Sequence, residues 1–160
     1  MTAPISISGK ENFIQDGVAN IKKVIEDNKS SFNERIKKIY TDDILLPETP
    51  SVSIVFNSAS NDLRSASAMS RRNYTYHLRY DIWYYHSEIS ENTKINHLTE
   101  IGWQIAQLFL NNISINCFVP KLGCEIEIVR YRPRLKGGKL IASVQISLVA
   151  HKLLRITDSN

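Results

Sequence analysis

The stretch Tyr74–His86 constrains the fold more than any other part of this chain. Read at a period of two, one side carries Tyr74, Tyr76, Leu78, Tyr80, Ile82 and Tyr84, and the other carries Thr75, His77, Arg79, Asp81, Trp83 and Tyr85. The first side is apolar or aromatic throughout, while the second begins polar and ends aromatic. Successive side chains of a strand point to opposite faces. This segment therefore needs cover along one face and, at its end, on both. A helix can supply the second cover. A neighbouring subunit can supply it equally, because Tyr and Trp are enriched at interfaces. Tyr74, Tyr76, Trp83 and Tyr85 are accordingly candidate interface residues.

Upstream, Ile14, Val18, Ile21, Ile25, Phe32, Ile36 and Ile39 recur at helical spacing. They predict a helix over 11–40, or two helices broken near Asn28 to Ser31. Lys22, Lys23, Lys29, Lys37 and Lys38 form its solvated flanks. Pro47 and Pro50 stop any helix and set an extended lead-in. Val52, Ile54 and Phe56 alternate with Ser51, Ser53 and Asn57, as in a strand with one buried face. Residues 58–72 are small, polar and basic, and read as a mobile loop. Its Arg64, Arg71 and Arg72 are candidate contacts to a partner or to phosphate.

Downstream, Ile95, Leu98, Ile101, Ile105, Leu108 and Phe109 predict a second helix through about Asn112, capped by Ser90 or Asn92. Gly102 beside Trp103 suggests a close approach of that helix to a sheet. Ile113 to Val119 alternates as a short strand, and Pro120–Gly123 reads as a turn. Two further strands follow, with Cys124, Ile126 and Ile128 on one face of the first and Leu140 to Ala150 alternating in the second. Gly137-Gly138 between them suits a primed hairpin turn, which requires positive φ. Residues 157–160 form a polar tail. The order implies one α+β domain over 1–160. It is a largely antiparallel sheet of four to five strands packed with two main helices, the N-terminal one long.

With 160 residues, 42% of them hydrophobic and 22% charged, the chain has globular composition and is expected to be one domain. A net charge of +4 does not by itself make a nucleic-acid binder. No run of about 18 apolar residues occurs, so no membrane span is expected. The first residues lack the basic start and apolar run of a signal peptide.

The chemistry-bearing residues are sparse. His77, His86, His97 and His151 show no helical pairing, and Cys117 and Cys124 lack metal-ligand spacing, so no metal or cofactor is expected. No phosphate-binding glycine loop and no nucleophile elbow occurs. Asp81, Glu125 and Glu127 could together hold a divalent cation in a nuclease, but the carboxylate-x-Lys step of restriction-type nucleases is missing, and a solvated or salt-bridged strand face is the favoured reading. Arg130, Arg132, Arg134, Lys136 and Lys139 place five cations on the 130–139 hairpin. Such a ribbon can follow a phosphate backbone without reading sequence, and Pro133 disturbs its ladder.

The chain resembles phage tail terminator, or tail completion, proteins. The likeness rests on the leading helix and the proline-broken Leu45-Leu46-Pro47-Glu48-Thr49-Pro50 before strand 51–57, and on the strand 74–85 running into the helix 93–112. The closing strand pair with Lys136-Gly-Gly-Lys139 and Ala142 to Val149 completes it. The resemblance implies a non-enzymatic virion protein that forms a ring, expected as a hexamer, at the end of the tail tube. Its partners would be the tail tube protein, a head–tail connector and its own copies, with non-specific DNA contact in the channel. Assembly would take place in the host cytoplasm. A head-completion connector and a standalone nucleic-acid-binding protein are the alternatives.

The alternation over 140–150 generates a stability prediction. Ile146→Ala should cost about 2–5 kcal/mol in a urea melt. Gln145→Ala, on the other face, should cost far less, and comparable losses would show that the strand is covered on both sides.

Overall fold

A computed structural model describes residues 13–32, 36–61, 73–111 and 124–155. The elements in chain order are α1 (Phe13–Asp27), a 3-10 turn (Lys29–Phe32), β1 (Lys38–Tyr40), β2 (Ser51–Asn61) and β3 (Asn73–Glu88). They continue with α2 (Ile95–Asn111), β4 (Cys124–Tyr131), β5 (Arg134–Lys136) and β6 (Lys139–Arg155). The strands form one sheet in the order β1-β2-β3-β6-β4, with β5 also paired to β6. All pairings are antiparallel except β1 with β2. The α+β class is therefore as the residue pattern implies.

The long strand behaves as its alternation requires. Leu78, Tyr80, Ile82 and Tyr84 are fully buried on the face that α1 and α2 cover, together with Val144, Ile146, Leu148 and Ala150 of β6. β3 and β6 run side by side from Asn73↔Arg155 to Glu88↔Ile141 and form the centre of the sheet. Ile21, Val24 and Ile25 of α1 and Leu98, Ile101, Ile105 and Phe109 of α2 supply the opposing layer.

The N-terminal helix is shorter than its apolar stripe predicts. Asn28 Nδ2 donates to the Val24 carbonyl at 2.8 Å, and Ser31 Oγ donates to the Asn28 carbonyl at 2.6 Å. Such short polar side chains compete for the backbone groups that helix continuation needs. Phe32 and Ile36 still reach the core, at 4% and 1% exposure, but from the 3-10 turn and the extended chain after it. Lys38–Tyr40 is then a parallel edge strand, with Ile39 opposite Val52, rather than a last turn of helix.

Three smaller differences have local causes. Ser58 to Asn61 belong to β2, after a register shift at Asn57 that keeps them paired to Arg79–Tyr76. The remainder of the expected loop, 62–72, lies outside the described residues, as do the expected strand 113–119, the turn at 120–123 and the tail 157–160. In β4 a bulge at Glu127 resets the alternation. Val129 and Tyr131 consequently pack on the helix side with Ile126, and Ile128 is left 40% exposed instead of sharing the Cys124 face. Neither Ser90 nor Asn92 caps α2. Ser90 and Thr93 instead close a turn on each other, and the Lys94 carbonyl accepts the first helical hydrogen bond, from Leu98.

Gly102 sits at the contact of α2 with the sheet. A Cβ placed there would lie 2.4 Å from Val144 Cγ1 and 3.3 Å from Val129 Cγ1. Gly102→Ala should therefore lower stability by about 1–3 kcal/mol through overpacking, even though Ala favours a helix over Gly by about 1 kcal/mol. A urea melt showing equal or greater stability would contradict the close approach.

Candidate functional site

The face of the sheet opposite the helices has two halves. At one end it carries Ser51, Ser53, Trp83, Tyr85, Ile141 and Ser143, all buried. The cover comes from the chain itself. After Tyr131, Pro133 interrupts the ladder, and the strand resumes as β5 on the same edge of β6 that β4 occupies. Arg132 bridges the break, its N–H donating to the Ser143 carbonyl at 2.9 Å while Ser143 Oγ donates to its carbonyl at 2.6 Å. Gly137 and Gly138, at φ of 57° and 79°, then turn β5 back into β6 as the glycine pair predicts. This hairpin and the 41–48 segment close over Trp83 and Tyr85.

One carboxylate and two cations join these two pieces. Arg134 places its guanidinium 4.2 Å from the centroid of the Trp83 ring, donates to Tyr85 Oη at 2.9 Å and reaches Asp43 Oδ1 at 3.1 Å. Lys136 bonds to the same Asp43 oxygen and lies 5.9 Å from the Tyr85 ring centroid. The Lys136 side chain is only 7% exposed, against 46% for Asp43. Ser53 Oγ donates to the Asp42 carbonyl and anchors the strap from below. Burial alone would push the Asp43 carboxyl up, but its hydrogen bond to Lys136 and the Arg134 charge outweigh that, and hold it below the ordinary value. Burial pushes the Tyr85 hydroxyl up, and Arg134 offsets part of the rise, so Tyr85 stays protonated.

The other half of this face is polar and linked across four strands. Asn57 Nδ2 of β2 donates to Asp81 Oδ2 of β3 at 2.8 Å, and Gln145 Nε2 of β6 donates to Asp81 Oδ1 at 3.2 Å. Gln145 Oε1 in turn accepts from Arg130 Nε of β4 at 2.9 Å and from Arg132 at 3.4 Å. Beside this row, Arg79 Nη1 contacts both oxygens of Glu127 at 3.1 and 3.0 Å. Gln145 is thus a buried connector rather than an outward spectator, and β6 is covered on both sides. Among the described residues, no group of three His, Cys, Asp or Glu side chains is placed to hold a metal.

The residues singled out from sequence are distributed unevenly. Trp83 and Tyr85, at 6% and 0% exposure, pack inside the chain, where Arg134 and Lys136 of its own arm lie over their rings. Tyr74 and Tyr76 stand in β3 opposite Leu154 and Lys152, and their side chains lie outside the described residues. Arg64, Arg71 and Arg72 also lie outside them. Of the five hairpin cations, Arg134 and Lys136 are held by Asp43, and Lys139 pairs with Glu88 at 2.9 Å. Arg130 and Arg132 are exposed, and their guanidinium groups share the Gln145 oxygen. Sequence reasoning misses Asp43, whose one signal is an acidic pair, Asp42-Asp43, in a chain whose hairpin holds five cations.

A second omission is apolar. Leu45 and Leu46 are 70% and 65% exposed, and Leu135 and Leu140, opposite each other in the hairpin, are 70% and 48% exposed. The Leu46 side chain touches the turn at Gly137. Leu135 and Leu140 lie on the side of the hairpin away from Arg134 and Lys136, because Leu135 alternates with both.

No protein-family model and no curated protein matches this chain. Among solved structures, it is similar to the sheath/tube terminator of PVC, an extracellular contractile injection system, determined by cryo-electron microscopy in the extended state. The TM-score is 0.45 and the identity 16%, over 89% of this chain and 60% of that one. The chain thus spans about three-fifths of the terminator's length.

Asp43→Asn should release the arm, because it removes the charge that both cations share. In a Trp103→Phe background only Trp83 remains as a tryptophan, and its emission should shift to the red at neutral pH. With Asp43 intact, the depressed carboxyl stabilises the arm fully above its ordinary value of 3.8 and loses that contribution as pH falls below it. The same red shift should therefore develop only below about pH 3.8. An Asp43→Asn variant with unshifted Trp83 emission would contradict the clamp.

Proposed function

We propose that this chain is a structural subunit that closes into a ring and terminates a tail tube, joining it to a head connector, and that it acts without catalytic turnover. The observation that carries the reading is the leucine tip. Leu135 and Leu140 stand in water on an arm that ionic and aromatic contacts hold in place, and Leu46, also exposed, lies against its turn. Singly exposed leucines are ordinary surface features, whereas a gathered set marks an interaction site. A pre-positioned arm also loses little conformational freedom on association, which favours assembly.

The ionic arrangement agrees with a mechanical role. Asp81 spends both oxygens on amide donors, and Glu127 spends both on Arg79, so two of the three carboxylates of the nuclease alternative already serve the sheet. The basic hairpin likewise gives three of its five cations to carboxylates of this chain. DNA passing through a ring would therefore meet Arg130 and Arg132 rather than the full set. Cyclic closure requires a heterologous interface, in which two different patches of each copy meet.

Electron microscopy of the purified protein, alone and mixed with isolated tail tubes, tests the proposal. Rings, with one at a tube end, are the expected result. Particles that stay single under both conditions would overturn it. Alanine at Arg130 and Arg132 should leave ring formation intact and lower the salt slope of any duplex binding by about one for each phosphate left without its arginine.

A further inference from the structure

We infer that residues 4–8 of this chain add as a strand to the outer edge of its own β2 and seal it. The inference goes beyond the ring reading and does not rest on it. β2 runs through Asn61, but β1 pairs with it only at Ser51, Val52 and Ser53. Among the described residues, no strand and no backbone hydrogen bond reaches 56–61 from that side. Proteins commonly guard an open edge with charge or proline. β4, at the opposite edge of the sheet, exposes Glu125, Glu127 and Arg130. Residues 54–61, Ile-Val-Phe-Asn-Ser-Ala-Ser-Asn, carry neither charge nor proline, and their one guard is the bulge at Asn57.

Pattern and reach both point to the occupant. Ahead of α1 the chain reads Pro4-Ile-Ser-Ile-Ser-Gly9, with isoleucine and serine in strict alternation. Proline is tolerated at the first residue of a strand, and glycine punctuates its end. On the helix side the open edge presents Phe56, and Ala59 opposite Leu78, and Val18 of α1 is also only partly covered there. On the other side it presents Ser58 and Ser60, opposite Arg79 and His77. Ile5 and Ile7 suit the first side, and Ser6 and Ser8 the second. Phe56 stands edge-on to Tyr80, with ring centroids 5.4 Å apart, so the rim they would meet is fixed. α1 begins at the same level of the sheet. Asp16, in its first turn, is close enough for its charge to bear on the Tyr80 hydroxyl, and Tyr80 is the partner of Phe56. The five steps from Ser8 to Phe13 span up to about 18 Å, so the segment reaches the edge within its own chain.

Hydrogen exchange read by mass spectrometry tests the inference, at a concentration where light scattering gives the single-chain mass of 18.3 kDa. Successive amides of a strand point to opposite edges, so about half of those in 56–61 face β3 and the rest report the outer edge. In wild-type protein the outer set is expected to be protected. In the full chain carrying both Ile5→Glu and Ile7→Glu it should exchange at least roughly tenfold faster, while the amides of 141–149 in β6 keep their wild-type rates. Should the double variant also loosen β6, the uncharged pair Ile5→Ser and Ile7→Ser replaces it, with the same expectation. Outer amides that exchange at one rate in wild type and variant overturn the inference. Protection that appears only once copies assemble assigns the edge to a neighbour's segment, and overturns the placement within one chain.

Discussion

The contact among Arg134, Asp43 and Trp83 governs the far side of this molecule. Helices cover one face of the sheet and leave the other to the chain's own short arm. That arm has three residues of strand, too few to hold itself by backbone pairing alone. A guanidinium stacked on a tryptophan contributes about 0.5–2 kcal/mol. Asp43 then brings the 41–48 segment to the same point, so one cluster fastens two pieces of otherwise irregular chain. Lys136 completes it from beneath, buried although it is a lysine, because its carboxylate partner is at hand. With the cluster in place, Trp83 and Tyr85 are sealed and the leucines of the tip are presented outward.

This division of labour explains why the aromatic end of β3 is a misleading signal. Aromatic residues on both faces of a strand do require two covers, and both covers exist. The alternation of Trp83 and Tyr85 says nothing about whether a helix, another subunit or a later hairpin supplies the second. The hairpin cations read as a ribbon for phosphate because their nearest sequence neighbours hold no carboxylate. Asp43, the acceptor for Arg134 and Lys136, lies ninety-one residues from Arg134, and no local pattern announces that contact.

Elements with strict periodicity are legible, by contrast. The two faces of β3, the clean alternation of β6, the apolar stripe of α2 and the Gly137-Gly138 turn all follow from spacing and from the steric freedom of glycine. Gly102 can also be read, since a glycine in the middle of a helix needs a packing reason. The failures lie where local chemistry overrides periodicity. Asn28 and Ser31 capture carbonyls and end α1 while the apolar stripe continues through Phe32 and Ile36. The bulge at Glu127 shifts the register of β4 by one and moves Val129 and Tyr131 to the core. Exposed leucines have no sequence signature at all, because Leu135 and Leu140 alternate as correctly as buried residues would.

A density map of the assembled particle at side-chain detail is the most direct test of the account. It should show Arg134 still stacked on Trp83 and bound to Asp43 within each copy, with the leucine tip covered by a neighbour. An arm that has swung away, leaving Trp83 to pack on another copy or the leucines in solvent, would contradict it.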